Sequence, residues 1–389
     1  PADPSAPGQE RINSKDGTVL VWVPAGAFEM GTPAKPDSLP RVFGGPGLID
    51  METEIAKQAG VEIRYATKVT RLLYDGERVE GVVVRENGKI EEIHSRSVVL
   101  ATGGFEANPE MRSRYLGPGW ELAKVRGTRF NTGTGIRLAI DIGAAPYGNW
   151  SSCHAVAWDL NAPEFGDLSI GDQFQKHSYP FSIVVNLDGK RFLDEGADFR
   201  NYTYAKYGRS ILEQPDQTAW QIFDAKVQHL IRDEYRIRQT TKVSANSIES
   251  LAAILAHEHS MDQDRLLKTL HEFNAAVRKD TPFDPTVKDG RCTKGLAMNK
   301  SNWAMPIDTP PFEAYGVTCG ITFTFGGLKI NREAQVLDTE DLPIAGLYAA
   351  GELVGGLFYN NYAGGAGLMA GAVFGRIAGA SAVGSASGR

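Results

Sequence analysis

Two short apolar runs, each closed by glycine, constrain this chain more than any other feature. They are SVVLATGG at 97–104 and GLYAAGE at 346–352. Each reads as a buried strand of a parallel sheet, apolar on both faces. Thr102-Gly103-Gly104 makes a backbone turn at a strand's carboxyl end, where open α/β sheets take their ligands. The stretch between about 149 and 320 has another character, richer in aromatic and charged residues. Helices are expected there at 247–258 and 262–279, and a hairpin over 181–195 turning at Asp188-Gly189. The return of the first style after residue 322 predicts one α/β domain in two sequence pieces, SVVLA and GLYAA together, with a second domain inserted.

A third glycine-rich stretch, GGLFYNNYAGGAGLMAG (355–371), feeds directly into a helix-like run. Glycine allows close backbone approach, and a helix that starts there presents free N–H groups and a positive dipole end. Such a pair suits something anionic or electron-rich; a tight turn made for helix packing is the alternative. Elsewhere, residues 1–17 are polar, 18–32 read as strand, turn and second strand, and 32–40 as a linker. GGPGLIDMETEIAKQAG predicts a glycine turn into an amphipathic helix ended by Gly60. Asp75-Gly76 and Asn87-Gly88 mark hairpin turns, NTGTGIRLAIDIGA (131–144) a glycine turn into a helix, and GGLKINREAQVLD (326–338) a hairpin.

The length of 389 residues suits two or three domains. A net charge of -6 implies no nucleic-acid or anionic-membrane partner. The three cysteines, Cys153, Cys292 and Cys319, have no CxxC spacing. That pattern predicts a cytoplasmic, reducing location and no metal site. No signal peptide or membrane span is expected from the sequence.

At VVLATGGF (98–105), GKRFLDEGADFRNYTYAKYGR (189–209) and GLYAAGELVGGLFYNNYAGGAGLMAGAVFGRIAG (346–379), the chain resembles the flavoprotein subunit family of fumarate reductase and succinate dehydrogenase. Within it, the tricarballylate dehydrogenase-like members are nearest and the 3-ketosteroid dehydrogenases next. The resemblance starts near residue 41. It implies an α/β fold with an α+β cap: FAD-binding pieces at 41–148 and 322–389, and a capping, substrate-binding domain at 149–321. It implies FAD as cofactor and redox at a CH–CH/C=C pair beside a carboxylate or carbonyl, with an electron-acceptor partner. It places Gly365, Ala366, Gly367 and Leu368 beside the flavin ring. Glu352 then receives a ribose or ribityl hydroxyl, Thr102 and Gly103 lie along the dinucleotide, and Val69 meets the adenine through its backbone.

Two departures stand out. The family's opening strand–GxGxxG–helix unit, which holds the pyrophosphate, is not found. Residues 1–40 form an atypical segment instead, and residues 16–32 resemble the start of the formylglycine-generating sulfatase-modifying family. Weak FAD binding, completion by another chain and a cofactor-free truncated remnant are the three consequences left open. The second departure concerns substrate. Thr322 and Phe323 stand where fumarate reductases carry histidines, and Tyr362 where they carry an arginine, so parts of a cationic dicarboxylate clamp are gone. Tyr362 favours a ketosteroid-type enzyme acting on a cyclic enone. His154 and Arg200 favour the tricarballylate type and an organic acid. These three residues are the candidate catalytic groups, expected to converge beside Gly365–Leu368. The bland alternatives are a core histidine, an arginine paired with Asp198, and an aromatic lining residue.

Overall fold

The computed structural model describes residues 11–12, 19–20 and 44–386. Most of the 1–40 segment, including nearly all of 16–32, therefore lies outside the described residues. Within it, Arg11–Ile12 pairs antiparallel with Val19–Leu20.

The helix Gly44–Gln58 ends as its sequence dictates. Gly60 takes φ 77° and its N–H returns to the Lys57 carbonyl at 2.9 Å, a glycine stop of the kind that helix ends favour. A three-stranded antiparallel meander follows, Thr67–Tyr74, Val79–Glu86 and Lys89–His94. Its second turn is Asn87-Gly88, both residues at positive φ (49° and 80°), the geometry that makes Asn-Gly a hairpin signal. At the first turn, the Asp75 carboxylate accepts the N–H groups of Glu77 and Arg78, each at 2.8 Å.

The two glycine-ended runs lie side by side. Val98–Leu100 pairs in parallel with Pro343–Ala349, Leu347 opposite Val98 and Ala349 opposite Leu100. Gln335–Leu337 adds an antiparallel strand beyond. Leu100, Leu347, Ile136, Phe105, Leu353, Cys319 and Ile321 share one buried cluster. The core thus joins stretches from 72–144 and 328–353 to the far end of the long strand Phe312–Thr324.

That long strand organises the remaining sheet of six strands. Ala219–Phe223 and Lys242–Ala245 flank its first half, Cys153–Asp159 its second half, and Ile183–Asn186 lies outside Ala219–Phe223. Helices Ile248–His259 and Gln263–Ala276 start where Ser247 and Asp262 cap the N–H groups of Ser250 and Arg265. Leu251, Leu255, Leu266, Leu270 and Phe273 from these helices bury against Ile183, Trp220 and Ile222. Arg200–Leu212 lies across Cys153–Asp159, so close that a Cβ on Gly208 would stand 2.4 Å from the Ala155 carbonyl carbon.

The 181–195 segment departs from the expected hairpin. Gly189 does turn the chain (φ 68°), but only the bridge Val185–Arg191 joins its two arms. Glu195 explains the difference. Its buried carboxylate accepts the Val184 N–H at 2.8 Å and pairs with Arg191 at 2.6 Å, so the second arm spends its polar groups on an ion pair. Ile183–Asn186 finds its strand partner in Ala219–Phe223 instead.

The last helix, Ala366–Ala386, is rich in glycine and alanine. Over 366–384 its hydropathy is 1.4, long and apolar enough to cross a membrane by length and composition alone, a feature not picked out in the sequence. Leu368, Met369 and Val373 are exposed among the described residues.

Candidate functional site

Four pieces of chain meet at the carboxyl ends of the paired parallel strands. Thr102-Gly103-Gly104 follows Val98–Leu100, and Glu352 follows Pro343–Ala349. Asn131 comes from the loop ahead of helix Thr134–Ile140, and Thr324 ends the long strand. The glycines leave room for these neighbours. A Cβ on Gly103 would stand 2.5 Å from the Asn131 side chain, and one on Gly104 would stand 2.1 Å from Thr324 Oγ1. Thr324 N–H donates to Glu352 Oε1 at 2.8 Å, and Phe105 N–H donates to the Thr324 hydroxyl at 3.2 Å. Burial pushes the Glu352 carboxyl well above the usual carboxylate range, and the neighbouring Glu106 pushes it further. Glu106 itself is 2% exposed and is raised by burial, against the pull of its hydrogen bonds and of Arg112.

The glycine-rich stretch delivers Tyr362 to the start of the last helix. The Gly367 N–H donates to the Tyr362 hydroxyl at 3.0 Å, so one of the helix's free donors is already engaged. Phe323 and Phe358 pack against the Tyr362 ring, with centroids at 5.6 and 4.8 Å. His154 covers another face, stacked at 4.5 Å with 4° between the planes. Both His154 nitrogens are buried without a hydrogen-bond partner among the described residues. Burial holds this imidazole well below its ordinary pKa, and the charge of Arg126 adds to the effect. It is neutral at pH 7, a potential acceptor or single donor.

Tyr204 links His154 to a second histidine. Its ring meets His154 edge-on at 5.0 Å and His177 at 5.2 Å. His177 is buried, with both nitrogens unpartnered among the described residues, and burial again holds it neutral. His177 also lines a cavity of about 200 Å³, together with Ser178, Phe199, Arg200, Arg232 and Trp303. Arg200 begins helix Arg200–Leu212. Burial and then Arg232 lower its pKa. Asp198 pairs with Lys288 at 3.4 Å, not with Arg200.

The expected residues are therefore placed as follows. Tyr362 and His154 are in contact. Arg200 lines the cavity with His177 and Arg232, whose lining includes neither Tyr362 nor His154, so the three expected residues do not meet at one point. Gly365, Ala366, Gly367 and Leu368 form the helix start beside Tyr362. Thr102, Gly103 and Glu352 gather at the strand ends, Thr102 against Gly135. Val69 lies in the meander opposite Val84. The sequence reading missed Glu106, His177 and Arg232. The segments FEAN and KHSYP that carry the first two have no local periodicity that marks a site. Among the described residues, no cluster of His, Cys, Asp or Glu is arranged to hold a metal.

A mixed α/β fold whose paired parallel strands end in a glycine turn and an acidic residue, beside a glycine-rich helix start, suits a bound dinucleotide cofactor. The chain belongs to the family described as FAD binding domain, whose model matches residues 8–368. It is 34% identical to a probable fumarate reductase, Ifc3, of Shewanella frigidimarina over 86% of this chain and 52% of that protein. It is 27% identical to a 3-oxosteroid 1-dehydrogenase of Mycobacterium tuberculosis over 83% of this chain and 60% of that one. The open conformation of a flavocytochrome c3 fumarate reductase superposes with a TM-score of 0.67 at 30% identity, over 88% of this chain and 56% of that chain. The chain thus spans roughly half the length of these relatives. FAD is the cofactor that this fold serves. Two observations fit it: the buried acceptor Glu106 Oε2, without a partner, stands beside Glu352 at the strand ends, and Gly351 has open space where a Cβ would be.

Proposed function

We propose that the chain is a FAD-dependent oxidoreductase that interconverts CH–CH and C=C beside a carboxylate or carbonyl. The observation that carries this reading is Tyr362, fixed to the helix start by Gly367 and stacked on His154. FAD, when bound, supplies hydride exchange with one carbon of the pair. The neighbouring carbon then needs a proton donor or acceptor, and geometry selects it before pKa does. The Tyr362 hydroxyl accepts the Gly367 N–H, which leaves its own proton free to donate to substrate. His154, neutral and buried, holds the Tyr362 ring in place from behind. Phe323 and Phe358 form an aromatic wall against Tyr362, with Phe325 packed behind them, an apolar surface that suits the carbon skeleton of a substrate. Gly365, Ala366, Gly367 and Leu368 border the flavin ring. Glu352, Thr102 and Gly103 hold the cofactor's polyol and phosphate part, and Val69 meets the adenine.

The substrate class has two readings. Arg200 and Arg232 share a cavity and suit an organic acid, as the names of the fumarate reductase relatives suggest. The aromatic wall, with no cation at Thr322, Phe323 or Tyr362, suits a cyclic enone, as the steroid dehydrogenase relative suggests. We favour the acid, because Arg200 lines this cavity without an ion-pair partner among the described residues, while Arg232 beside it is paired with Glu234 at 2.6 Å; an unpaired guanidinium is a ready partner for a carboxylate. In either case an electron donor or acceptor, a second protein or a small molecule, restores the cofactor. The experiment is anaerobic turnover of the FAD-reconstituted protein on an α,β-unsaturated acid and on a cyclic enone. Turnover of neither defeats the proposal, and turnover of the enone alone reverses the order of the two readings.

A further inference from the structure

Gly104 stands where two carboxyls meet. A Cβ there would come within 2.3 Å of Glu352 Oε1 and 2.9 Å of Glu106 Oε2. The two carboxyls thus close on one point in a site sheltered from water. Two carboxylates that share such a site cannot both ionise freely, because like charges there repel. The other donors nearby are already assigned. The Asn131 amide donates to Glu106 Oε1 at 2.5 Å, and the Thr324 N–H and hydroxyl donate to Glu352 Oε1 at 2.8 and 3.4 Å. Arg112 favours ionised Glu106 through its charge, but its two terminal nitrogens donate to the carbonyls of Ala123 and Glu121 at 2.6 and 3.1 Å, and its Nε makes no hydrogen bond among the described residues. Glu106 Oε2 is left buried with no donor of its own, facing Glu352. Glu352 in turn keeps part of its surface open, next to the unfilled space at Gly351.

We propose that Glu106 and Glu352 hold one proton between them, and that Glu106 is a positioning residue that keeps Glu352 set to accept a hydroxyl from the cofactor's polyol chain. The proposal rests on the FAD reading above. A hydroxyl that donates to Glu352 favours its ionised form. The proton then sits on Glu106, which donates it to Glu352, so the pair's proton count does not change. At high pH the shared proton is lost. Two negative carboxyls then repel at close range in a partly dry site, and Glu352 loses the contact that positions it. Cofactor capture thus becomes proton-dependent although the polyol itself does not titrate.

The test is an FAD titration of cofactor-free protein, read by flavin fluorescence from about pH 5.5 to about pH 9, with urea unfolding of the cofactor-free protein over the same range. For the native chain, Kd should rise about tenfold per pH unit above the pair's midpoint, as expected for one linked proton. Glu106→Gln places a permanent N–H where the shared proton was. Its Kd should be flat with pH and match the native value at the acid end. Its stability should also lack the fall that the native protein shows as pH rises through the same midpoint. Glu106→Leu, with no donor, should bind FAD at least about tenfold more weakly at every pH. A flat native profile, or a Glu106→Gln profile with the native slope, overturns the proposal. If Glu106→Gln does not fold, Asn131→Ala replaces it. Removing the donor from Glu106 should move the midpoint to higher pH, and an unmoved midpoint overturns the proposal. Failure of the native chain to bind FAD at any pH defeats the functional reading instead, and the unfolding data on cofactor-free protein still decide whether the pair shares a proton.

Discussion

His154 lies face to face on Tyr362, ring centroids 4.5 Å apart and planes within 4°. One ring comes from the strand Cys153–Asp159 and the other from the glycine stretch before the last helix. The stack therefore ties the six-stranded sheet to the helix start, and the candidate proton-transfer group is held from both sides.

His154→Phe should preserve that stack while removing both nitrogens. Unfolding stability should stay within about 1 kcal/mol of the native value, whereas His154→Ala loses the aromatic pair and should cost about 2 kcal/mol or more. Urea unfolding at fixed pH measures both. If turnover is unchanged in His154→Phe, the ring is packing alone.

The pH dependence of stability has a defined sign for the two buried histidines. Burial holds both His154 and His177 well below their ordinary pKa, so the folded protein stays unprotonated where the unfolded chain takes up protons. Their contribution is present above the unfolded value of about 6.5 and is lost as pH falls below it. The difference in unfolding free energy between the native protein and His154→Phe/His177→Phe should therefore shrink as pH drops from about 7.5 to about 5.5. A difference that does not change with pH contradicts the neutral assignment.

Arg200→Met tests the choice of substrate class. If the cavity shared with Arg232 holds a carboxylate, KM for an unsaturated acid should rise by about tenfold or more, the worth of a charge-assisted hydrogen bond. KM for a neutral cyclic enone should not move. Equal effects on both substrates would place Arg200 outside recognition.

Gly208→Ala tests how the helix Arg200–Leu212 seats on the sheet. Its new Cβ would meet Ala155 and Val156 backbone atoms at 2.4 and 2.5 Å, and backbone there cannot yield as a side chain can. The helix Arg200–Leu212 must shift off the strand that carries His154, at a cost of about 1–3 kcal/mol. A lowered Tm together with reduced turnover is expected, and a native Tm would mean that the helix contact is looser than the geometry indicates.

How much of this was legible beforehand depended on how local the signal was. Asn87-Gly88, Gly60, Ser247 and Asp262 act on their own neighbours, and each does what its residue type predicts. The paired strands Val98–Leu100 and Pro343–Ala349 were readable because strands buried on both faces must be apolar throughout. Strand partners in the cap were not. Ile183–Asn186 looks like one arm of a hairpin until Glu195 turns inward to Arg191, and nothing in the local pattern announces a buried ion pair. Glu106 and His177 were missed for the same reason. Each acquires its meaning from a residue far away in the chain, Glu352 for one and Tyr204 for the other.

Tyr362→Phe removes the hydroxyl that accepts the Gly367 N–H and keeps the ring. FAD binding should be unaffected and turnover should fall by about a hundredfold, the lower end for general acid–base catalysis. Unchanged turnover would leave Tyr362 as lining and send the search for the proton carrier to His154 and Arg200.

The most direct test of the account is anaerobic reoxidation. Protein reconstituted with FAD is reduced chemically, mixed with an α,β-unsaturated acid or a cyclic enone, and followed by the absorbance of oxidised flavin with analysis of the organic product. The account predicts that the oxidised spectrum returns in step with saturation of the double bond, one product molecule per flavin. If the flavin stays reduced with both substrates, or reoxidises while the double bond remains intact, the proposed CH–CH/C=C chemistry is wrong.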